Sequence, residues 1–95
     1  MAKTSELRDL SAGFSVLSDP TRLGILKMLA AGPKNVTALC DGLGVKQPVA
    51  SHHLGILRMG RLVVGTRKGK SVVYVIDASA LKALGVAVGK LTPRK

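Results

Sequence analysis

The chain has 95 residues, 46% of them apolar but with only one Phe, one Tyr and no Trp, which suits one domain with an aliphatic core and excludes wholesale disorder. Its formal net charge of +10 is lopsided: residues 1–45 carry five bases and four acids, whereas residues 46–95 carry ten bases and one acid, Asp77. Such asymmetry points to a polyanionic partner, either nucleic acid or an acidic membrane surface.

From Glu6 to Leu17, residues Leu7, Leu10, Phe14 and Leu17 recur three and four apart, the pattern of one helical face. Gly13 within it costs about 1 kcal/mol relative to Ala. Asp19 is suited to cap a second helix, with Pro20 in its first turn. That helix is expected to reach about Ala31, with Leu23, Leu26 and Ala30 facing inward, before Gly32-Pro33 stops it. Thr37 is expected to cap a short third helix, Ala38 to Leu43, burying Leu39, Cys40 and Leu43. Gly44 suits its C-cap.

A tight turn, Gly44-Val45-Lys46, leads into a fourth helix from Gln47 to about Met59. Pro48 sits in its first turn, where a missing N–H costs nothing. Ala50, Leu54 and Leu57 form its inner face. The period then changes. Leu62 to Arg67 and Ser71 to Ile76 are rich in β-branched residues and flank a hairpin tip, Lys68-Gly69-Lys70. Asp77 is expected to cap a last helix, Ala78 to about Val88, with Leu81, Leu84 and Val88 on one stripe. The ends, about 1–4 and 91–95, are expected to fray. The chain reads as a single domain over 1–95, mainly α with a small β-hairpin, in the order α-α-α-α-β-β-α. Two helices joined by a tight turn and followed by a basic hairpin form the layout of a winged helix-turn-helix.

Gln47, Ser51 and His52 point away from the inner stripe near the start of the fourth helix, the end that meets base edges in helix-turn-helix docking. Gln can bond adenine bidentately, while Ser and His discriminate less. Lys46 precedes the helix and can approach a phosphate, which the helix N-terminus also favours. Arg67, Lys68 and Lys70 suit phosphate contact or entry into the minor groove. The competing reading of the hairpin is an edge whose lysines discourage aggregation.

Other chemistries fit poorly. Gly65 to Ser71 has three residues between its glycines where a phosphate-binding P-loop needs four, and it lies in a hairpin rather than between strand and helix. No nucleophile elbow occurs, and nothing points to an enzyme. His52 and His53 project about 100° apart and chelate poorly. Cys40 reads as a small hydrophobe, with a redox switch as the sharper alternative. No apolar run approaches the roughly 18 residues of a membrane span. The first residues lack the apolar core of a signal peptide, so a cytoplasmic location is expected.

The segments Leu17-Ser18-Asp19-Pro20-Thr21-Arg22-Leu23, Gln47 to Arg58 and Arg67 to Tyr74 resemble the arsenic-repressor (ArsR/SmtB) family of bacterial regulators, in the family's order and spacing. The resemblance implies a homodimer formed through the first and last helices, here Leu7, Leu10, Phe14, Leu81, Leu84 and Val88. It implies repression at an inverted-repeat operator, relieved by an inducer that the sequence does not name. The family's DNA contacts fall on Gln47, Pro48, Ser51 and His52, with the wing at Arg67 to Lys70. His53 matches a position hydrogen-bonded at the core edge.

The family's metal sites do not carry over. Asn35 and Thr37 occupy the positions of its Cys-x-Cys pair. Asp77 matches its Asp-x-His motif, but Ser79 replaces the His, and no His or Glu follows His53. No metal or other cofactor is therefore expected. Lys46 stands where a capping Ser is usual, which costs the helix start about 1 kcal/mol. Gly60-Arg61 replaces an ending in which Gly comes one place later. The expected function is that of a sequence-specific double-stranded DNA-binding regulator, most simply a dimeric repressor without membrane association. Its rivals are a non-specific architectural DNA-binding protein and a protein–protein interaction module.

Overall fold

Local capping chemistry sets the helix boundaries. A computed structural model describes residues 4–90, with helices α1 (Thr4–Leu17), α2 (Pro20–Ala30), α3 (Val36–Leu43), α4 (Gln47–Met59) and α5 (Ala78–Gly89). Asp19 Oδ2 accepts from the Arg22 amide at 3.1 Å and Pro20 opens α2, as its sequence predicts. Asp77 Oδ1 likewise accepts from the Ala80 amide at 3.2 Å to start α5. The cap of α3 differs from expectation. Asn35, not Thr37, accepts from the Ala38 amide at 2.8 Å, and the helix begins at Val36. The expected fraying falls largely outside the described residues, and Thr4 already belongs to α1.

The sheet is larger than a hairpin. Strands β2 (Val63–Lys68) and β3 (Ser71–Ile76) pair antiparallel, from Val63 opposite Ile76 to Lys68 opposite Ser71. A two-residue strand, β1 (Lys34–Asn35), pairs with the other edge of β3, placing Lys34 opposite Tyr74 and giving the order β1-β3-β2. Asn35 therefore ends a strand and caps a helix, which anchors the start of α3 to the wing.

The core joins Ile25, Leu26 and Leu29 of α2, Leu39 of α3, Ala50, Leu54 and Leu57 of α4, and Leu62 and Val63. Each fully buried Leu, Ile or Val there contributes about 1.5–3 kcal/mol. The inner face of α4 is the expected one, but that of α2 is rotated. Leu23 is 49% exposed and Ala30 is exposed, while Ile25 and Leu29 lie inside. The cause is Arg22, which shares the inward stripe and bonds inward through its guanidinium, turning Leu23 out. Cys40 and Leu43 are half-buried rather than enclosed, so α3 commits only Leu39 fully.

α1 and α5 pack on one another and, among the residues whose burial is described, contribute none that is fully buried. A Cβ at Gly13 would lie 2.9 Å from Leu84 Cδ1, so this glycine admits α5 against α1 in exchange for helix propensity. The molecule is elongated, 48 × 24 × 20 Å, with a radius of gyration of 14.8 Å against about 12 Å for a compact chain of this length. Among the described residues, no helix is long and apolar enough to cross a membrane.

Candidate nucleic-acid interface

The turn between α3 and α4 positions the start of α4. Gly44 adopts a left-handed conformation, φ 67°, and the Cys40 carbonyl accepts from both Gly44 and Val45. Lys46 then enters α4 with extended backbone and no side-chain cap. The helix start is nonetheless largely satisfied. Pro48 has no amide, and the amides of Val49 and Ala50 both donate to the Lys46 carbonyl, at 3.0 and 3.1 Å. The side chains of Lys46, Gln47, Pro48, Ser51 and His52 are all exposed.

The wing presents its charge at a two-residue loop, Gly69-Lys70. Gly69 has φ 62°, and a positive angle at the first loop position alone is the pattern of a type II′ hairpin turn. Arg67 and Lys68 lie at the end of β2 and Lys70 in the loop, all exposed. Among the described residues, none of the three has an ion-pair partner.

Gln47 and Lys70 share a cleft of about 260 Å³ with Thr37, Ser71 and Tyr74. The start of α4, the start of α3 and the base of the β2–β3 hairpin thus meet at one surface. Ser51 and His52 lie one turn further along α4. Thr37 and Ser71 line this cleft and were not among the contact residues read from the sequence. The signal was available for Thr37, which becomes an exposed hydroxyl beside a helix N-terminus once Asn35 takes the capping role.

His53 occupies the core edge, as expected. Its Nδ1 lies 3.1 Å from Arg22 Nη1 and 3.8 Å from Asp19 Oδ2. The Arg22 amide bond holds the Asp19 carboxyl below its usual range, opposed by desolvation and aided by His53. Ser79 donates to Asp77 Oδ1 at 2.7 Å, so the Asp77 carboxylate binds a hydroxyl and the α5 amide. Among the described residues, no group of three or more His, Cys, Asp or Glu side chains converges as a metal site would require.

A model of the arsR family of bacterial regulatory proteins matches residues 19–64. The transcriptional regulator NmtR of Mycobacterium tuberculosis is 43% identical over 80 residues, 83% of this chain and 67% of that protein. The chain belongs to the arsR family. The transcriptional repressor SdpR of Bacillus subtilis is 32% identical over 69 residues, 73% of this chain and 77% of that one. Among solved structures, the homodimeric winged helix-turn-helix DNA-binding domain of a possible ArsR-family regulator from Mycobacterium bovis is 27% identical. It superposes with a TM-score of 0.75 over 90% of this chain and 80% of that one. This arsR-family chain thus has the winged helix-turn-helix fold and is a DNA-binding transcriptional regulator, not an enzyme.

Proposed function

We propose that this arsR-family regulator is a cytoplasmic homodimeric repressor that reads an inverted-repeat operator with the start of α4 and grips the flanking phosphates with its wing. The observation that carries this reading is the surface shared by Gln47 and Lys70. It joins a side chain able to bond adenine to one able to neutralise phosphate, as specific recognition requires. Pro48, Ser51 and His52 continue the reading face, and Lys46, Arg67 and Lys68 extend the cationic one.

The dimer reading rests on α1 and α5. Leu7 is 48% and Phe14 42% exposed, Leu10 and Leu84 are half-buried around an apolar groove between the helices, and Val88 is half-buried on α5. Leu81 belongs more to the chain's own core, whereas Val86, outside the stripe read from the sequence, is exposed. Isolated chains rarely leave such apolar faces uncovered. Regulation is proposed to be independent of the family's two metal arrangements, given Asn35, Thr37 and Ser79 at their ligand positions. Cys40, half-buried on α3, is read as packing rather than sensing.

The test is selection of bound duplexes from a random library, followed by affinity measurement. An inverted repeat with half-site centres about 34–36 Å apart is expected, preferred at least about 10³-fold over scrambled DNA. Gln47→Ala should cost about 1–3 kcal/mol on that site and relax one base position. Equal affinity for all duplexes would establish an architectural protein instead.

A further inference from the structure

The Arg22 guanidinium is a three-way joint. Nε donates to the Val16 carbonyl at 2.6 Å and Nη2 to the Ser15 carbonyl at 3.2 Å, satisfying the last turn of α1. Nη1 lies 3.1 Å from His53 Nδ1 on α4. One rigid fork therefore ties the end of α1, the start of α2 and the reading helix together. Val16 also lines the apolar groove between α1 and α5, so the joint reaches from that groove to the DNA-facing helix.

The chemistry fixes the protonation state. Arg has donors only and stays charged, so a bond from Nη1 requires an unprotonated Nδ1, with the ring proton on Nε2. The charged and titratable groups facing the ring are Arg22 and Asp19 from the start of α2 and His52, whose ring centroid lies 5.2 Å away. Among the described residues, α1 contributes carbonyls to this joint, and those belong to Arg22. The His53 side chain is 15% exposed, enough for a proton to reach it.

We propose that Arg22 and His53 are positioning residues for DNA reading, holding α4 in register with the end of α1 only while His53 Nδ1 carries no proton. The proposal rests on the reading of α4 as the recognition helix. A proton taken from solvent turns Nδ1 from acceptor to donor facing the guanidinium, and that bond is lost. Asp19 Oδ2, 3.8 Å from the same nitrogen, then becomes the ring's partner. Asp19 already accepts the Arg22 amide as the α2 cap, so it draws the ring towards α2 while α1 loses its link to α4.

The test compares wild type with His53→Asn at about pH 7.5 and at the acid pH where nitrogen-15 NMR shows the His53 ring of the wild type protonated. The probe is a duplex selected by the chain itself, and the readout is its preference over a scrambled duplex. Wild type should lose roughly ten-fold in preference on acidification, the scale of one charge-assisted hydrogen bond. His53→Asn keeps an acceptor at the Nδ1 place and cannot titrate, so its preference should hold. Exposed His52 is present in both proteins and cancels in the comparison. An equal acid loss in both, or none in wild type, overturns the proposal.

A second measurement needs neither DNA nor a variant. Nitrogen-15 NMR of the wild-type chain should show the Nε2–H tautomer at the higher pH. The Val16 and Leu17 amides, which follow the two acceptor carbonyls, should shift as His53 titrates. A His53 titration that leaves them unmoved overturns the joint. A wild type without sequence preference at either pH overturns the reading of α4 instead, and the NMR result stands apart from it.

Discussion

Replacing both wing lysines, Lys68→Ala with Lys70→Ala, isolates the electrostatic part of binding. The hairpin is held by its six-residue ladder from Val63–Ile76 to Lys68–Ser71, and both side chains are exposed. Folding stability should therefore change by less than about 0.5 kcal/mol. A dimer loses up to about four phosphate contacts, at about 0.9 each in the slope of log affinity against log salt. The slope should become shallower by up to about 3.6, so between about 50 and 200 mM salt wild type loses about a hundred-fold more affinity than the variant. Fluorescence anisotropy at several salt concentrations, on a selected and a scrambled duplex, measures both slopes. The two duplexes should weaken alike. An unchanged slope, or a loss confined to the selected duplex, refutes phosphate contact by the wing.

Phe14→Glu places a charge on the exposed face of α1 and should convert the proposed dimer to monomer in sedimentation; a variant that stays dimeric removes α1 from the interface. Arg61 takes φ 62° after Gly60 at the end of α4, where glycine carries no Cβ penalty. Arg61→Gly should stabilise by about 1 kcal/mol and raise Tm by about 4–8 °C, and an unchanged or lower Tm would show that the turn is unstrained. The Asp77 carboxyl lies below its ordinary 3.8, held there first by the Ser79 hydroxyl and then by the Ala80 amide. Its contribution is complete above that ordinary value and is lost as pH falls through the lower folded one. Asp77→Asn keeps a capping oxygen without the charge, so wild type should lose more melting temperature than the variant between about pH 6 and pH 3. Parallel losses would contradict the shift.

The helix-turn-helix and the wing were legible because their signals are local. Asp19-Pro20, Gly44 and the β-branched runs beside Gly69 each act within a few residues, and the structure honours all of them. What escaped depended on partners distant in sequence. Asn35 and Thr37 both make good caps, and the choice between them follows from β1 pairing with β3, some forty residues away. The inward face of α2 was ambiguous because Leu23, Ile25, Leu26, Met28, Leu29 and Ala30 supply overlapping stripes. Arg22 decides between them, yet a base in the first turn of a helix reads as solvated until His53, 31 residues on, is seen beside it. Gly13 looked like a weakness of α1 and is where Leu84 of α5 packs against its backbone.

The uncapped start of α4 has a consequence for how such regulators diverge. The Lys46 carbonyl and Pro48 satisfy the helix start by backbone alone, so the side chains at 46 and 47 are free of structural duty. On the proposed reading of α4, substitutions there change what the helix recognises at a folding cost of no more than about 1 kcal/mol, the worth of a cap at 46. A duplicated copy of this chain could acquire a new operator at these two positions while its core stayed fixed.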